Sequence, residues 1–248
     1  MNGIKVSHLT YHYHKKCILR DINLLIPLQQ MICLIGPNGS GKSTLLKLMG
    51  GLLSLQSGTV TLDNISLHSY SRKSLAKKLA FLPQQCQIPP SLLVREYVAL
   101  GRFCHQSWFS KLSYQDHFAI DEAIALTGLN LLAREPVSAL SAGQQQRARL
   151  ALMLTQQAHY LLLDEPMTGL DFKQQRNMLK LLSDLQKNHG KTIIVILHDL
   201  HQVMEIANEV VLLNDSRILT QGHPRDVICK DNVLKAFDCE YDFSFVCV

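Results

Sequence analysis

The chain has 248 residues, 47% of them hydrophobic and 18% charged, with a formal net charge of +5. This is an ordinary globular composition, long enough for one large α/β domain or a core with a smaller lobe, and its mild basicity without any run of basic residues gives nucleic acid little support as a partner. No segment approaches the roughly 18 apolar residues of a membrane span, Met1–Val6 has no apolar signal core, and the seven scattered cysteines lack a C-x-x-C pair, so the expectation is a protein of the reducing cytosol that is neither a channel nor secreted.

From the N-terminus, residues 4–13 and Ile18–Ile26 alternate apolar and polar side chains, which predicts an antiparallel β layer with one wet face. Tyr13 sits at the turn between them, either as a strand aromatic or as a surface on which a base stacks. His8, His12, His14 and His68 are read as a wet strand face and not as metal ligands, because no carboxylate cluster accompanies them.

Met31–Ile35 is an unbroken apolar run of the kind buried on both faces of a sheet. It leads into Gly36-Pro37-Asn38-Gly39-Ser40-Gly41-Lys42-Ser43-Thr44, which fits the pattern G-x-x-x-x-G-K-[ST], and then into a helical segment stopped by Gly50-Gly51. Strand, loop and helix together make an anion site for a di- or triphosphate. Gly39 and Gly41 let backbone N–H groups close on phosphate oxygens, Lys42 adds a point charge, and the Ser43 hydroxyl is placed to complete the coordination of Mg²⁺.

Thr59–Leu62 with Asp63-Asn64 reads as strand and turn, Ser71–Lys78 as a short basic helix, and Leu79–Leu82 as a second buried strand stopped by Pro83. Gln84 follows at once, and the end of a core strand is where α/β folds place ligand contacts. Gln87–Pro90 is linker-like, and from Leu92 to about Gln157 the apolar spacing turns helical, with Ile120, Ala123 and Ile124 on one face and Leu150, Met153 and Leu154 on another. This predicts a helical lobe inserted into the α/β core. Within it, Gln106–Lys111 reads as an exposed loop whose Trp108 and Phe109 form a satellite core or a contact patch.

The core returns with Tyr160–Leu163 ending in Asp164-Glu165, then a helix over 173–188, then Thr192–Leu197 ending at His198-Asp199. Strands separated by helices mean a mainly parallel sheet. Val210–Leu213 and Arg217–Thr220 read as two edge strands before a helical and β tail.

Taken alone, Asp164 and Glu165 are solvated strand termini and His198 is a satisfied core histidine. With a phosphate loop in the same sheet, Asp164 is placed to bind Mg²⁺ directly or through water, and Glu165 to accept a proton from water attacking a γ-phosphate. His198 is placed to donate a hydrogen bond to that phosphate, and Gln84 to link the metal or the attacking water to the inserted lobe. Leu140-Ser141-Ala142-Gly143-Gln144-Gln145-Gln146-Arg147 is a helix start, since Ser141 and Gln144 have the S-x-x-Q spacing of a capping box and Gly143 permits close backbone approach. That helix N-terminus is a second phosphate-seeking surface.

The ordered motifs resemble those of ATP-binding cassette proteins, the nucleotide-binding subunits of ABC transporters, over about residues 4–225. Tyr13 resembles the adenine-stacking aromatic, Gly36–Thr44 the Walker A loop, Gln84 the Q-loop glutamine, and Leu140–Gln144 the signature. Leu161–Glu165 resembles the Walker B strand, Gly169-Leu170-Asp171 the D-loop, and His198 the switch histidine. The resemblance implies an α/β fold, a P-loop NTPase (RecA-like) core over 1–86 and 158–225 with an N-terminal antiparallel β layer, an inserted helical signature subdomain over 87–157, and a C-terminal tail over 226–248. It implies ATP and Mg²⁺, catalytic roles for Glu165, His198 and Gln84, metal contacts from Ser43, Gln84 and Asp164, and nucleotide contacts from Ser141, Gly143, Gln144 and Asp171. It also implies a head-to-tail homodimer in which Ser141 and Gly143 of one copy complete the site on Lys42 of the other. Three departures stand out: Ala142 replaces the first signature glycine, Met167-Thr168-Gly169 replaces Thr-Ser-Ala, and Gln29-Gln30 replaces the usual Gly-Glu turn.

Finer similarity, in Ser74–Gln84, Val98–Arg102 with His105, and Leu197–Leu200, is to the ATPases of bacterial importers for iron-siderophore complexes, haem and vitamin B12. It implies an integral-membrane permease docked against Pro89-Pro90 and a Leu92–Arg102 helix, a peripheral location on the inner face of the cell membrane, and a substrate-binding protein acting indirectly. Zinc and manganese importer ATPases share several of these features and stand as an alternative. A cassette acting on nucleic acid or ribosomes is the other, but such proteins usually carry a coiled-coil insertion or two fused cassettes, so no nucleic acid partner is expected. A non-catalytic binding module would lack Glu165 or His198, and both are present.

Overall fold

The computed structural model describes residues 3–84, 89, 91–107 and 111–238. The expectations for Pro90, Trp108, Phe109 and the last ten positions lie outside these residues. In chain order the structure runs β1 (Gly3–Tyr13), β2 (Lys16–Pro27), β3 (Met31–Ile35), α1 (Lys42–Met49), β4 (Ser57–Leu62), β5 (Ile65–Ser66), α2 (Arg72–Ala76) and β6 (Leu79–Leu82). It continues through α3 (Val94–Ala99), α4 (Tyr114–Leu126), α5 (Ala142–Thr155), β7 (Tyr160–Leu163), α6 (Phe172–Lys187) and β8 (Thr192–Ile196), then α7 (Leu200–Ile206), β9 (Glu209–Asn214), β10 (Arg217–Gly222), α8 (Pro224–Val227) and α9 (Lys230–Phe237). By contact the chain divides into two units, Met1–Ser69 with Gln186–Val248, and Tyr70–Leu185.

In the first unit, β1 pairs antiparallel with β2 from Gly3↔Pro27 to Tyr13↔Lys16 and with β4 on its other side, giving a layer ordered β2-β1-β4-β5. Sequence alternation becomes alternation of burial at Ile4 and Val6 and at Ile22, Leu24 and Ile26, and a register shift between Val6 and Leu9 brings Leu9 inside as well. Each such side chain stabilises by about 1.5–3 kcal/mol, and a slip of one residue would turn the whole set to solvent, so the register is strongly held.

The core sheet of this unit is built on β3, every residue of which is buried, with β8 and β9 parallel on either side. The expected pair of edge strands is corrected here: β9 lies between β3 and β10. Its run Val210–Leu213 is buried throughout, the pattern of a strand covered on both faces, whereas β10 alternates exposed and half-buried residues as an edge does. Gln29, standing where the family usually has glycine, takes a left-handed φ of +57°. Two hydrogen bonds pin it, its N–H donating to Thr192 Oγ1 at 2.9 Å and its carbonyl accepting from Gln186 Nε2 at 2.7 Å. His68 also departs from expectation, lying on a one-turn 3₁₀ helix and not on a strand face. His8 Nδ1 stands 2.9 Å from Asp21 Oδ1, yet no group of three or more His, Cys, Asp or Glu is gathered as a metal site among the described residues. No described helix is long and apolar enough to cross a membrane.

In the second unit, β6 and β7 pair parallel from Leu79↔Tyr160 to Leu82↔Leu163. Helix α4 buries Ile120, Ala123 and Ile124, and α5 buries Leu150, Met153 and Leu154, the faces that the helical spacing predicts. The expected helix over Leu92–Arg102 is split instead, because α3 stops at Ala99 and a 3₁₀ helix takes Leu100–Cys104. In that tighter turn Arg102 points inward. Its Nε donates to Asp116 Oδ1 at 2.7 Å, and its Nη1 donates to Thr155 O and Gln157 Oε1, both at 2.9 Å. One buried guanidinium thus ties the starts and ends of three helical segments.

Candidate nucleotide-binding site

In the first unit β3 hands the chain directly to the glycine-rich loop. Gly36 and Gly41 have φ of +141° and +102°, and a Cβ on them would stand 2.1 Å from the Leu213 carbonyl oxygen and 2.6 Å from Leu19 Cδ2. The loop is therefore seated against β9 and β2 through positions that only glycine fills. At Gly39 an added Cβ meets nothing among the described residues within 4 Å, which marks the open side. Lys42 begins α1 yet is buried, its Nζ donating to the Gly36 and Pro37 carbonyls at 2.8 Å each, so the ammonium lies inside the loop. Ser43 and Thr44 follow half-buried, while Asn38 is exposed.

Ser40 Oγ is buried in this loop with no hydrogen-bond partner among the described residues. An unsatisfied buried hydroxyl costs about 1–3 kcal/mol, and a phosphate oxygen in the loop would relieve it. Buried cation, orphan hydroxyl and open glycine side all fit an oxyanion.

His198 emerges just beyond the buried end of β8 and is exposed, which rules out the core-histidine reading. Asp199 beside it caps α7, its Oδ1 accepting from His201 N–H at 2.8 Å. Tyr13 ends β1 at 65% exposure, edge-on to the His14 ring at 4.7 Å, so it is no part of the β-layer core.

In the second unit β7 delivers Asp164, buried, with its N–H donating to Leu82 O at 2.9 Å. Glu165 comes next with φ of +50°. A left-handed conformation costs a non-glycine residue about 1–2 kcal/mol and persists where the surroundings hold it. Here they do: Gln84 Nε2 donates to Glu165 Oε2 at 2.7 Å, and Thr168 Oγ1 donates to the same oxygen at 3.3 Å. Strand-end placement finds Gln84 but not its partner. Nothing in the motif order singles out Thr168, whose three-residue spacing from Glu165 is the available signal.

Helix α5 opens with the predicted capping box, Ser141 Oγ accepting from Gln144 N–H at 3.3 Å and Gln144 Oε1 accepting from Ser141 N–H at 2.9 Å. Ser141 and Ala142 are exposed and Gly143 is buried, so the methyl of Ala142 meets solvent within its own unit. Further along, Gln146 is buried and its Nε2 donates to Pro166 O at 3.0 Å, fastening α5 to the turn after Glu165. Asp171 directly precedes α6, and its Oδ1 accepts from Gln174 N–H at 2.7 Å. The spacing Asp171-x-x-Gln174 is a capping signal legible in the sequence once that helix start is fixed.

The ABC transporter family pattern matches residues 19–168 of the chain. The iron(3+)-hydroxamate import ATP-binding protein of Bacillus subtilis is 38% identical over 97% of this chain and 89% of its own length. The ferric enterobactin transport ATP-binding protein of Escherichia coli is 35% identical over 94% of this chain and 86% of its own. Among solved structures, an ABC transporter in an inward-facing conformation matches with a TM-score of 0.85 at 27% identity, covering 97% of this chain and 90% of that one. The dimeric bacterial cassette MJ0796 matches with a TM-score of 0.77 at 29% identity, covering 90% and 99%. With motif order, loop geometry, family pattern and relatives in agreement, the chain belongs to the ABC transporter family, as one of its ATP-binding, ATP-hydrolysing subunits.

Proposed function

We propose that this chain powers import of a metal chelate, an iron-siderophore, haem or cobalamin, and that Lys42, Ser43, Asp164 and Glu165 serve the hydrolysis of ATP. The observation that carries the cargo is the set of relatives named for import of iron(3+)-hydroxamate and for transport of achromobactin and ferric enterobactin, 35–38% identical over 94–97% of this chain.

Bound ATP supplies the electrophilic γ-phosphate, and Mg²⁺ supplies charge neutralisation. Lys42 exchanges the Gly36 and Pro37 carbonyls for terminal phosphate oxygens, with the loop N–H groups and the Ser40 hydroxyl on the same anion. Ser43, Asp164 and Gln84 are the residues that would hold the ion. Glu165 orients and deprotonates the attacking water, His198 donates to the γ-phosphate, and Tyr13 stacks on the base. Ser141, Gly143, Gln144 and Asp171 face the nucleotide of a second copy in a head-to-tail homodimer.

The second unit also carries an open cleft of about 860 Å³ whose lining includes Arg72, Lys73, Leu100, Phe103, Cys104 and Gln106. Phe103 is 79% exposed and Leu100 49%, a grouping of large apolar side chains that marks a protein contact. It meets the expected groove wall at Leu100 and Gly101, and we assign it to a short cytoplasmic helix of the permease, which sets the chain on the inner face of the membrane.

Deletion of the gene is expected to abolish uptake of one labelled chelate under iron limitation. Unchanged uptake of iron-siderophore, haem and cobalamin alike, with lost zinc or manganese uptake, moves the cargo to the metal-ion branch and leaves the ATPase assignment standing. Phe103→Asp is expected to weaken co-purification of the permease about tenfold or more while ATP binding is unchanged, as a charge in an apolar contact does; full recovery of the complex would dismiss the cleft as the docking surface.

A further inference from the structure

Gln174, in the first turn of α6, touches both elements that the dimer reading turns toward a second copy. Its N–H donates to Asp171 Oδ1 at 2.7 Å, and its Oε1 accepts from Asp171 N–H at 3.4 Å. The far end of the same side chain lies over Gly143, where a Cβ would stand 2.4 Å from Gln174 Cδ, 2.5 Å from Oε1 and 2.6 Å from Nε2. Gly143 and Gln174 share the wall of a cleft of about 190 Å³ with Ser141, Gln144 and Arg147. At the near end of the segment, Gln146 Nε2 holds Pro166 O at 3.0 Å. Glu165 to Asp171 is therefore fastened to α5 by one glutamine from each helix.

We propose that Gln174 is a positioning residue whose amide sets the spacing between Asp171 and the Ser141–Gly143 turn, so that D-loop and signature meet a second copy as one surface. The proposal rests on the homodimer reading above. Its physical basis is the space at Gly143: the absent side chain leaves room that the Gln174 amide occupies while it accepts from Asp171. A methyl at position 143 cannot share that room. Because the intruding atoms end a flexible side chain, the methyl would displace the amide without splitting the helix packing, and the loss would fall on alignment more than on stability. Glycine at position 143 thus has a role within its own chain, separate from any approach of phosphate to its backbone. Ala142 is exposed, and its methyl is tolerated there.

The test uses the full-length chain, with dimerisation read by light scattering in a Glu165→Gln background and turnover read with Glu165 intact. Gln174→Ala is expected to leave ATP affinity within about twofold and Tm nearly unchanged, while ATP-dependent dimerisation weakens about fivefold to tenfold and kcat falls by a similar factor at constant KM, the signature of a contact within one chain whose loss is felt only when the closed dimer forms. Gly143→Ala is expected to weaken dimerisation at least tenfold with Gln174 present, and by only about twofold to threefold more once Gln174→Ala has emptied the space, a non-additivity that contact between the two residues requires. Equal losses from Gly143→Ala in both backgrounds, or a Gln174→Ala protein that dimerises like its parent, would overturn the proposal while leaving the dimer in place. A Glu165→Gln protein that stays monomeric at saturating ATP would remove the homodimer reading itself, and the role of Gln174 with it.

Discussion

Glu165→Gln is expected to bind ATP as the parent does and to lose steady-state turnover by about 10²–10³-fold, the effect of removing a positioned general base. The substitution is nearly isosteric, and the new amide oxygen can still accept from Gln84 Nε2, which now donates to Glu165 Oε2 at 2.7 Å, and from Thr168 Oγ1 at 3.3 Å. The left-handed turn at position 165 is thus preserved and only basicity is lost. Phosphate release measured beside equilibrium nucleotide binding separates the two quantities. Wild-type hydrolysis by the variant would reassign the base. Gln84→Ala is the companion variant, and its effect should be smaller, because Thr168 continues to hold the carboxylate.

The features legible in the sequence are those with a short-range cause. Alternation at the start of β1 translates directly into buried Ile4 and Val6, because strand periodicity is a property of a few neighbouring residues, whereas the irregularity at His8, with φ of +51°, that brings Leu9 inside is not written in that period. The Ser141–Gln144 box is likewise local, fixed by two hydrogen bonds within one turn. What the sequence leaves open is spatial order. Val210–Leu213 reads as a short apolar run whether it is an edge or an internal strand, and only pairing with β3 and β10 on either side decides.

The same limit applies within the candidate site. Gln84 is visible as a polar strand end, but its partner lies 81 residues away in sequence, and no periodicity carries that pairing. Gln174 is legible as a cap for α6 and not as the group filling the space at Gly143, since that contact joins two helices. His198 shows the converse case. Residue type alone favours a buried histidine, whereas its exposure beyond a wholly buried strand makes it available to a ligand.

Arg102→Met is expected to destabilise the second unit by about 3–5 kcal/mol, the cost of removing one partner of a buried ion pair. The side chains of Arg102 and Asp116 are 5% and 9% exposed, and loss of the guanidinium takes from Asp116 Oδ1 its cationic partner and from the buried Thr155 carbonyl the donor that it now has. Burial by itself would raise the pKa of Asp116, but hydrogen bonds from the Ser113 side chain and backbone, with the bond and charge of Arg102, outweigh it and hold the carboxyl down at about 2 against an ordinary 3.8. A pKa depressed in the folded state contributes stability that is fully present above the unfolded value and is lost as pH falls through the folded value, here between about pH 4 and pH 2. Thermal unfolding of wild type and Arg102→Met should therefore differ widely at pH 7 and converge as pH drops through that window. Arg102→Met combined with Asp116→Leu should recover a large part of the loss, since an apolar pair of similar volume leaves no charge unpaired. Equal melting temperatures for wild type and Arg102→Met at pH 7 would show that the 3₁₀ turn at Leu100–Cys104 is held by packing alone, with the ion pair contributing nothing to the second unit.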